Sequence, residues 1–202
     1  MKRYAEYILG LMTMAVGVVL MKKAALGITP ITSLPLALSE ISRISLGNWT
    51  IIFHVMCILG IVAVKRRLEV KTALMFPVGI GFGYFIDLLL WLWQAQPQSV
   101  VLRALLLVLG IPVSGLGVAL INDADLMLPS PDGLIRTIAQ VYQKKYPVVK
   151  VIGDCTWVSI ALGIELSVLG RIEAVGVGTV ASALLVGRSI KWFNRHWFQK
   201  SA

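Results

Sequence analysis

Five ionisable side chains of this 202-residue chain sit inside or beside long apolar runs: His54, Asp87, Asp132, Asp154 and Glu165. Such groups are costly to hold away from water, and they tend to face a partner, a cavity or a solute path. His54 and Asp154 stand 100 residues apart, one in each half of the chain. A histidine that titrates near neutrality, together with carboxylates, can carry protons in coupled transport. His54, Asp87 and Asp154 are therefore the candidates for proton or ion coupling. The plainer alternatives are a hydrogen-bonded packing role for His54 and an interfacial Asp154 beside Lys150. Asp87, in GYFIDLLLW, follows Gly79 and Gly83 by one turn and is placed to line an interior. Glu165, in LGIELSVLG, lies close to the end of its run at Gly170. It is expected to reach the interface. For both acids the competing reading is a partner such as Arg103 or Arg171.

A second kind of chemistry is suggested by PSPDGLIRTIAQ, residues 129–140. Ser130 suits an N-cap, Pro131 the first helical position and Asp132 the first turn. TPITSLPLALSE offers Thr29 and Pro30 for the same use. A helix N-terminus presents unpaired N–H groups and a positive dipole end. Two of them, converging, form a site for a small anion or polar solute, with Thr29, Ser33, Ser130 and Asp132 as the contacts. Ordinary capping of two interfacial helices is the competing reading. Asp132, whose counterpart is the uncharged Thr32, fits a capped end or a cationic ligand better than a free anion site.

No enzyme is expected. The sequence has no GxSxG, HExxH or Walker loop, and its second histidine, His196, lies in a basic tail. Cys57 and Cys155 form no CxxC or Cys/His cluster, so neither a metal nor another cofactor is indicated. Both cysteines are expected to pack as small apolar residues.

The elements that must position these residues are membrane spans. The chain is 57% hydrophobic and 14% charged, where a soluble domain carries about 25% charged residues. Six apolar segments stand out, at residues 4–26, 49–64, 72–93, 104–121, 148–169 and 172–193. A span needs about 20 residues, so the shorter ones must tilt or carry snorkelling flanks. The first segment resembles a signal peptide but has no convincing cleavage site before Lys22 and is expected to be retained. With six spans, one face collects all but five of the 19 basic residues, the exceptions being Lys22, Lys23, Arg43, Arg103 and Arg171. That bias puts both termini in the cytoplasm. The net charge of +9 comes from short clusters between apolar runs, which suits contact with anionic lipid and needs no nucleic acid.

The chain also matches itself. Shifted by 100 residues, LGLMTMAVGVVL falls on LGIPVSGLGVAL, and GITPITSLPLALSE falls on MLPSPDGLIRTIAQ. After an indel of about four residues, Glu69 meets Glu173, and Gly79 and Gly83 meet Ala183 and Gly187. Three spans per half place the second half upside down relative to the first, a pattern of many secondary transporters. The expected fold is all-α: one integral membrane domain over residues 1–202, six transmembrane helices as two inverted three-helix repeats (about 1–98 and 99–202), with a short extra helix in each.

ALGITPITSLPLALS, PSPDGLI and GVGTVASALLVG together resemble the YczE/YyaS/YitT group of bacterial integral membrane proteins, over nearly the whole chain. Ser130 and Pro131 stand where that group more often has Pro-Arg before Asp-Gly. The resemblance implies a bacterial inner-membrane protein. The leading expectation is a permease moving a small solute between the repeats, with the glycine-bearing faces of the third and sixth spans as sliding surfaces. A non-transporting subunit that binds a membrane partner, or a homo-oligomer, remains the alternative.

Overall fold

The computed structural model describes residues 2–197. Among them the chain is all-helical. Its elements are α1 (Lys2–Ala24), α2 (Pro30–Ile41), α3 (Leu46–Lys65), α4 (Val70–Leu92), α5 (Val100–Ala124), α6 (Ser130–Val141), α7 (Tyr146–Ile164), a π-helical turn (Glu165–Leu169) and α8 (Val177–His196). The two short helices expected after the first and fourth spans are present, at 12 residues each. Proline stands at the first position of α2 and the second of α6, where a missing N–H costs nothing. Residues with positive φ end the helices before them: Ala25 closes α1, Arg66 closes α3, Asp125 closes α5 and Gly170 closes the π turn.

Among the described residues five helices are long and apolar enough to cross a membrane: Lys2–Ala24, Leu46–Lys65, Val70–Leu92, Val100–Ala124 and the continuous run Tyr146–Leu169. The sixth expected span differs. Residues 170–176 are not helical, so α8 begins at Val177 rather than at 172. Its 20 residues are enough in length, but Arg188, Lys191 and Arg195 keep its second half polar, and it falls outside the five.

α1 and α5 form the central seam. Gly10 lies against Gly117 and Ile121, and Gly17 against Ser114 and Gly110, so the partner number falls as the residue number rises and the helices run antiparallel. Added Cβ atoms on Gly17 and Gly117 would sit 2.5 Å from Ser114 N and 2.4 Å from Met14 N. Only glycine allows backbones this close, and lipid supplies no hydrophobic drive that would compensate for a wider gap. Ala15, Val18, Met21, Leu106, Leu107 and Ile111 pack beside the seam into the main core.

The short helices cross between the halves. α2 packs on α7, and α6 packs on α3. α4 returns along α3, where Gly83 meets the Gly47 carbonyl and Ile51. α8 instead packs along α5, with Gly115 against Ser189, and no comparable contact joins it to α7. Gly187, the counterpart of Gly83, meets no atom within 4 Å. The two expected glycine faces are therefore not alike, since one is packed and the other open. α7 buries only Ala161, and Cys155 is exposed on it rather than packed, unlike the buried Cys57.

Candidate functional site

The site is built where α6 docks on α3. Ser130 begins α6, with Pro129 as the capping residue before it, so Ser130 is the first helical residue and not the N-cap the sequence suggests. Its Oγ donates to the His54 carbonyl at 3.2 Å, spending the hydroxyl on the neighbouring helix. This contact brings Pro131 and Asp132 beside the His54 side chain. From the other half, α2 presents its first turn to the same place. Ile31, Thr32 and Pro35 share a small, partly enclosed cavity with Thr50, Phe53, His54, Phe82, Pro129, Pro131 and Asp132. The cavity is about 20 Å³, room for about one water molecule.

His54 lies near the middle of α3 and is 5% exposed. Its ring lies 5.9 Å from that of Phe82. Gly79 on α4 leaves room for it: a Cβ there would come within 2.9 Å of Nδ1. Nδ1 has no hydrogen-bond partner and is buried. A buried polar nitrogen without a partner is costly.

Asp132 is held by a cation. Lys150, one turn before Asp154 on α7, bridges the two carboxylates at 3.0 Å to Asp132 and 2.9 Å to Asp154. Two carboxylates on one ammonium leave a formal negative charge beside the cavity. Lys150 is thus a working part of the cluster, and the i,i+4 spacing from Lys150 to Asp154 was its signal in the sequence. His54 and Asp154, 100 residues apart in the chain, come to one cluster through Asp132 and Lys150.

The remaining candidates fall elsewhere. Thr29 shares a hydrogen bond with Thr32 at 2.8 Å, and Ser33 donates to the Pro30 carbonyl at 2.6 Å within its own helix. Neither is among the cavity walls. Asp87 belongs to the start of α3. Its carboxylate accepts from Gly47 N at 2.8 Å and from the Ser45 hydroxyl, placing negative charge at a helix N-terminus. Glu165 does not reach an interface. It is 0% exposed, and its expected partners are engaged otherwise: Arg103 donates to the Pro97 carbonyl at 2.9 Å, and Arg171 pairs with Glu173 at 2.8 Å. Trp157 packs edge-on against Phe53, ring centres 4.9 Å apart, behind the cavity wall.

On the far side of α6 lies an open, polar groove of about 390 Å³, with Lys65, Glu69, Thr72, Asn122, Arg136 and Thr137 among its walls. Glu69, at its rim, accepts from Lys65 at 2.8 Å, and this hydrogen bond holds its carboxyl below the usual range.

Comparison with the curated proteins finds no match, and comparison with the solved structures finds none. A family model does match, over residues 1–195. This helical, membrane-like chain belongs to DUF6198, a family of unknown function.

Proposed function

We propose that this protein is a bacterial inner-membrane permease for a small solute, built as two inverted three-helix repeats with α8 as the sixth span and both termini in the cytoplasm. One observation carries the reading: the first turns of α2 and α6, one from each half, meet around one small, partly enclosed cavity at His54. Short helices that present their N-terminal turns to a site between two halves are how many secondary transporters hold a solute. The reciprocal seam supports the inverted repeat, because Gly10 meets Gly117 while Gly17 meets Gly110. A two-fold relation between halves produces such a swap of equivalent contacts. Kinship with the YczE/YyaS/YitT group goes with this reading.

In this arrangement Thr32, His54 and Asp132 contact the solute, and Ser130 positions α6. Thr29 and Ser33 shape the first turn of α2. The Asp132–Lys150–Asp154 cluster and His54 form a polar path in which a proton or cation can be exchanged. Asp87 holds the start of α3. The cavity admits one water in the closed state described, so a solute enters only when the halves move. The test is flux into proteoliposomes across a panel of small cationic, neutral and anionic solutes. Uptake of at least one solute, reduced about tenfold or more by Asp132→Asn and by His54→Ala, is the expected result. Absence of flux, or flux indifferent to both changes, overturns the proposal.

A second reading, a membrane subunit without transport activity, is favoured by one feature. α7 buries a single residue and leaves Val148, Val151, Ile152 and Ile160 exposed. A stoichiometric partner that co-purifies and is lost on changing these residues, with Asp132→Asn silent, would favour it.

A further inference from the structure

Glu165 opens the π-helical turn and is completely buried. Its Oε1 accepts two backbone hydrogen bonds, from Glu173 N at 3.0 Å and Ala174 N at 2.6 Å. Its Oε2 is buried with no partner. Most of the charged groups around it are already engaged. Arg171 and Glu173, on the same connector, pair with each other. On α2, Glu40 is held by Lys22 of α1 at 2.6 Å. Lys23, buried at the last turn of α1, forms no ion pair among the described residues. α8 presents Thr179 and Ser182 before its first charge at Arg188, and on α7 the acid Asp154 belongs to Lys150. Among the described residues Glu165 forms no ion pair, and one of its oxygens lacks even a donor.

The two amides it holds belong to the connector from α7 to α8, and that connector, together with the first turns of α8, grips the linker leading into α2. Ile28 N donates to the Ala174 carbonyl at 3.1 Å, Gly178 N to the Leu26 carbonyl at 2.7 Å, and Ser182 Oγ to the Ile28 carbonyl at 3.4 Å. Gly27, at φ +100°, presses so closely that a Cβ would lie 2.6 Å from Gly176 N. The linker continues directly into Thr29 and the turn of α2 that lines the His54 cavity. At the related junction of the other half, between the end of α3, the start of α4 and the linker into α6, the space is the open groove. The same junction is plugged on one side and open on the other.

We propose that Glu165 is a binding site for a monovalent cation, H⁺ or Na⁺, and that its occupancy sets the grip of residues 170–176 on the linker into α2. The proposal deepens the permease reading by supplying its coupling ion and the gate that ion operates. A proton delivered by hydronium, which leaves as water, forms an O–H bond at Oε2 and removes the carboxylate charge. Oε1 is then a neutral acceptor, and hydrogen bonds to a neutral acceptor are about half as strong as those to an ionised one. The grip loosens. Na⁺ bound at Oε2 leaves the carboxylate ionised and holds the connector tighter.

Amide hydrogen exchange on the full-length protein in lipid nanodiscs tests this without any solute, so its failure leaves the permease reading standing, and absent flux leaves this one standing. The protein is titrated from neutral to acid in KCl, corrected for the intrinsic pH dependence of exchange, and the series is repeated in NaCl. If the cation is a proton, peptides covering 26–33 and 170–178 exchange about tenfold faster in acid, while the α1–α5 seam is unchanged. If it is Na⁺, the same peptides exchange more slowly in NaCl than in KCl at one pH. Glu165→Gln abolishes either response, and Glu165→Asp keeps it with a shifted midpoint. A wild-type protein that shows neither response overturns the proposal whether or not the variants fold, and so does a response that survives in Glu165→Gln.

Discussion

The first half runs from α3 through a four-residue turn into α4, which packs straight back on α3. The second half takes a different course from a matching start. Its long segment, Tyr146–Leu169, has 24 residues where α3 has 20. The extra residues belong to a helix that ends in the π turn, as expected when residues are inserted into a helix. Seven residues then cross to the linker of the first half before α8 begins, and α8 packs on α5 instead of α7. The longer segment thus goes with a last helix that takes a different partner. The same segment carries the buried Glu165. The position 104 residues earlier, aligned on the Glu69–Glu173 match, is the apolar Ile61.

The comparison can be broken at the seam where the halves agree. Gly17→Ala and Gly117→Ala place Cβ atoms against backbone on both sides, and each should cost about 3 kcal/mol. Thermal unfolding in detergent measures this, and a clear inequality between the two would mean the seam is less reciprocal than its contacts. Where the halves differ, the outcome should differ. Gly83→Ala meets the Gly47 carbonyl and should destabilise by about 1–3 kcal/mol. Its counterpart Gly187→Ala meets nothing and should be neutral or gain up to about 1 kcal/mol in helix propensity. Equal losses would show that α8 packs against something its contacts do not contain.

The charge cluster has no copy in the first half, so Lys150→Met should harm only this junction. It leaves Asp132 and Asp154 unpaired. Because all three side chains keep partial exposure, the loss should be about 1–3 kcal/mol, recovered in part by adding Asp132→Asn. The smallest effect concerns two matching ion pairs, Arg67–Glu69 and Arg171–Glu173, both at 2.8 Å. The Glu69 carboxyl is held below its ordinary range, first by the Lys65 hydrogen bond. Its contribution is present above the unfolded carboxyl range and is lost as pH falls through the lowered folded value. Glu69→Gln should lower the melting temperature slightly at neutral pH and not at all in acid.

Much of this architecture was readable from the sequence. Long apolar runs become helices because a chain in lipid must satisfy its own backbone hydrogen bonds, and the proline-framed entrances at Pro30 and Ser130 start short helices where expected. The 100-residue match in LGLMTMAVGVVL marked the glycines that let α1 and α5 meet. The sixth span was less legible, since hydrophobicity alone could not tell that residues 170–176 serve as a connector. At the site, residue type and spacing pointed to His54, Asp132 and Asp154, but not to which hydroxyls were already spent within their own helices or on a neighbour.

The sequence by itself determined the helical class, the two short helix entrances and the identity of the ionisable groups, because these follow from local composition and backbone chemistry. Only the tertiary structure decided that the two entrances meet at His54, that Lys150 joins two carboxylates, that Asp87 serves a helix start and that Glu165 is sealed inside. Those outcomes depend on which helix crosses which. A carboxylate at the end of an apolar run becomes an interfacial group or a buried one according to what packs over it, and here the connector to α8 packs over Glu165.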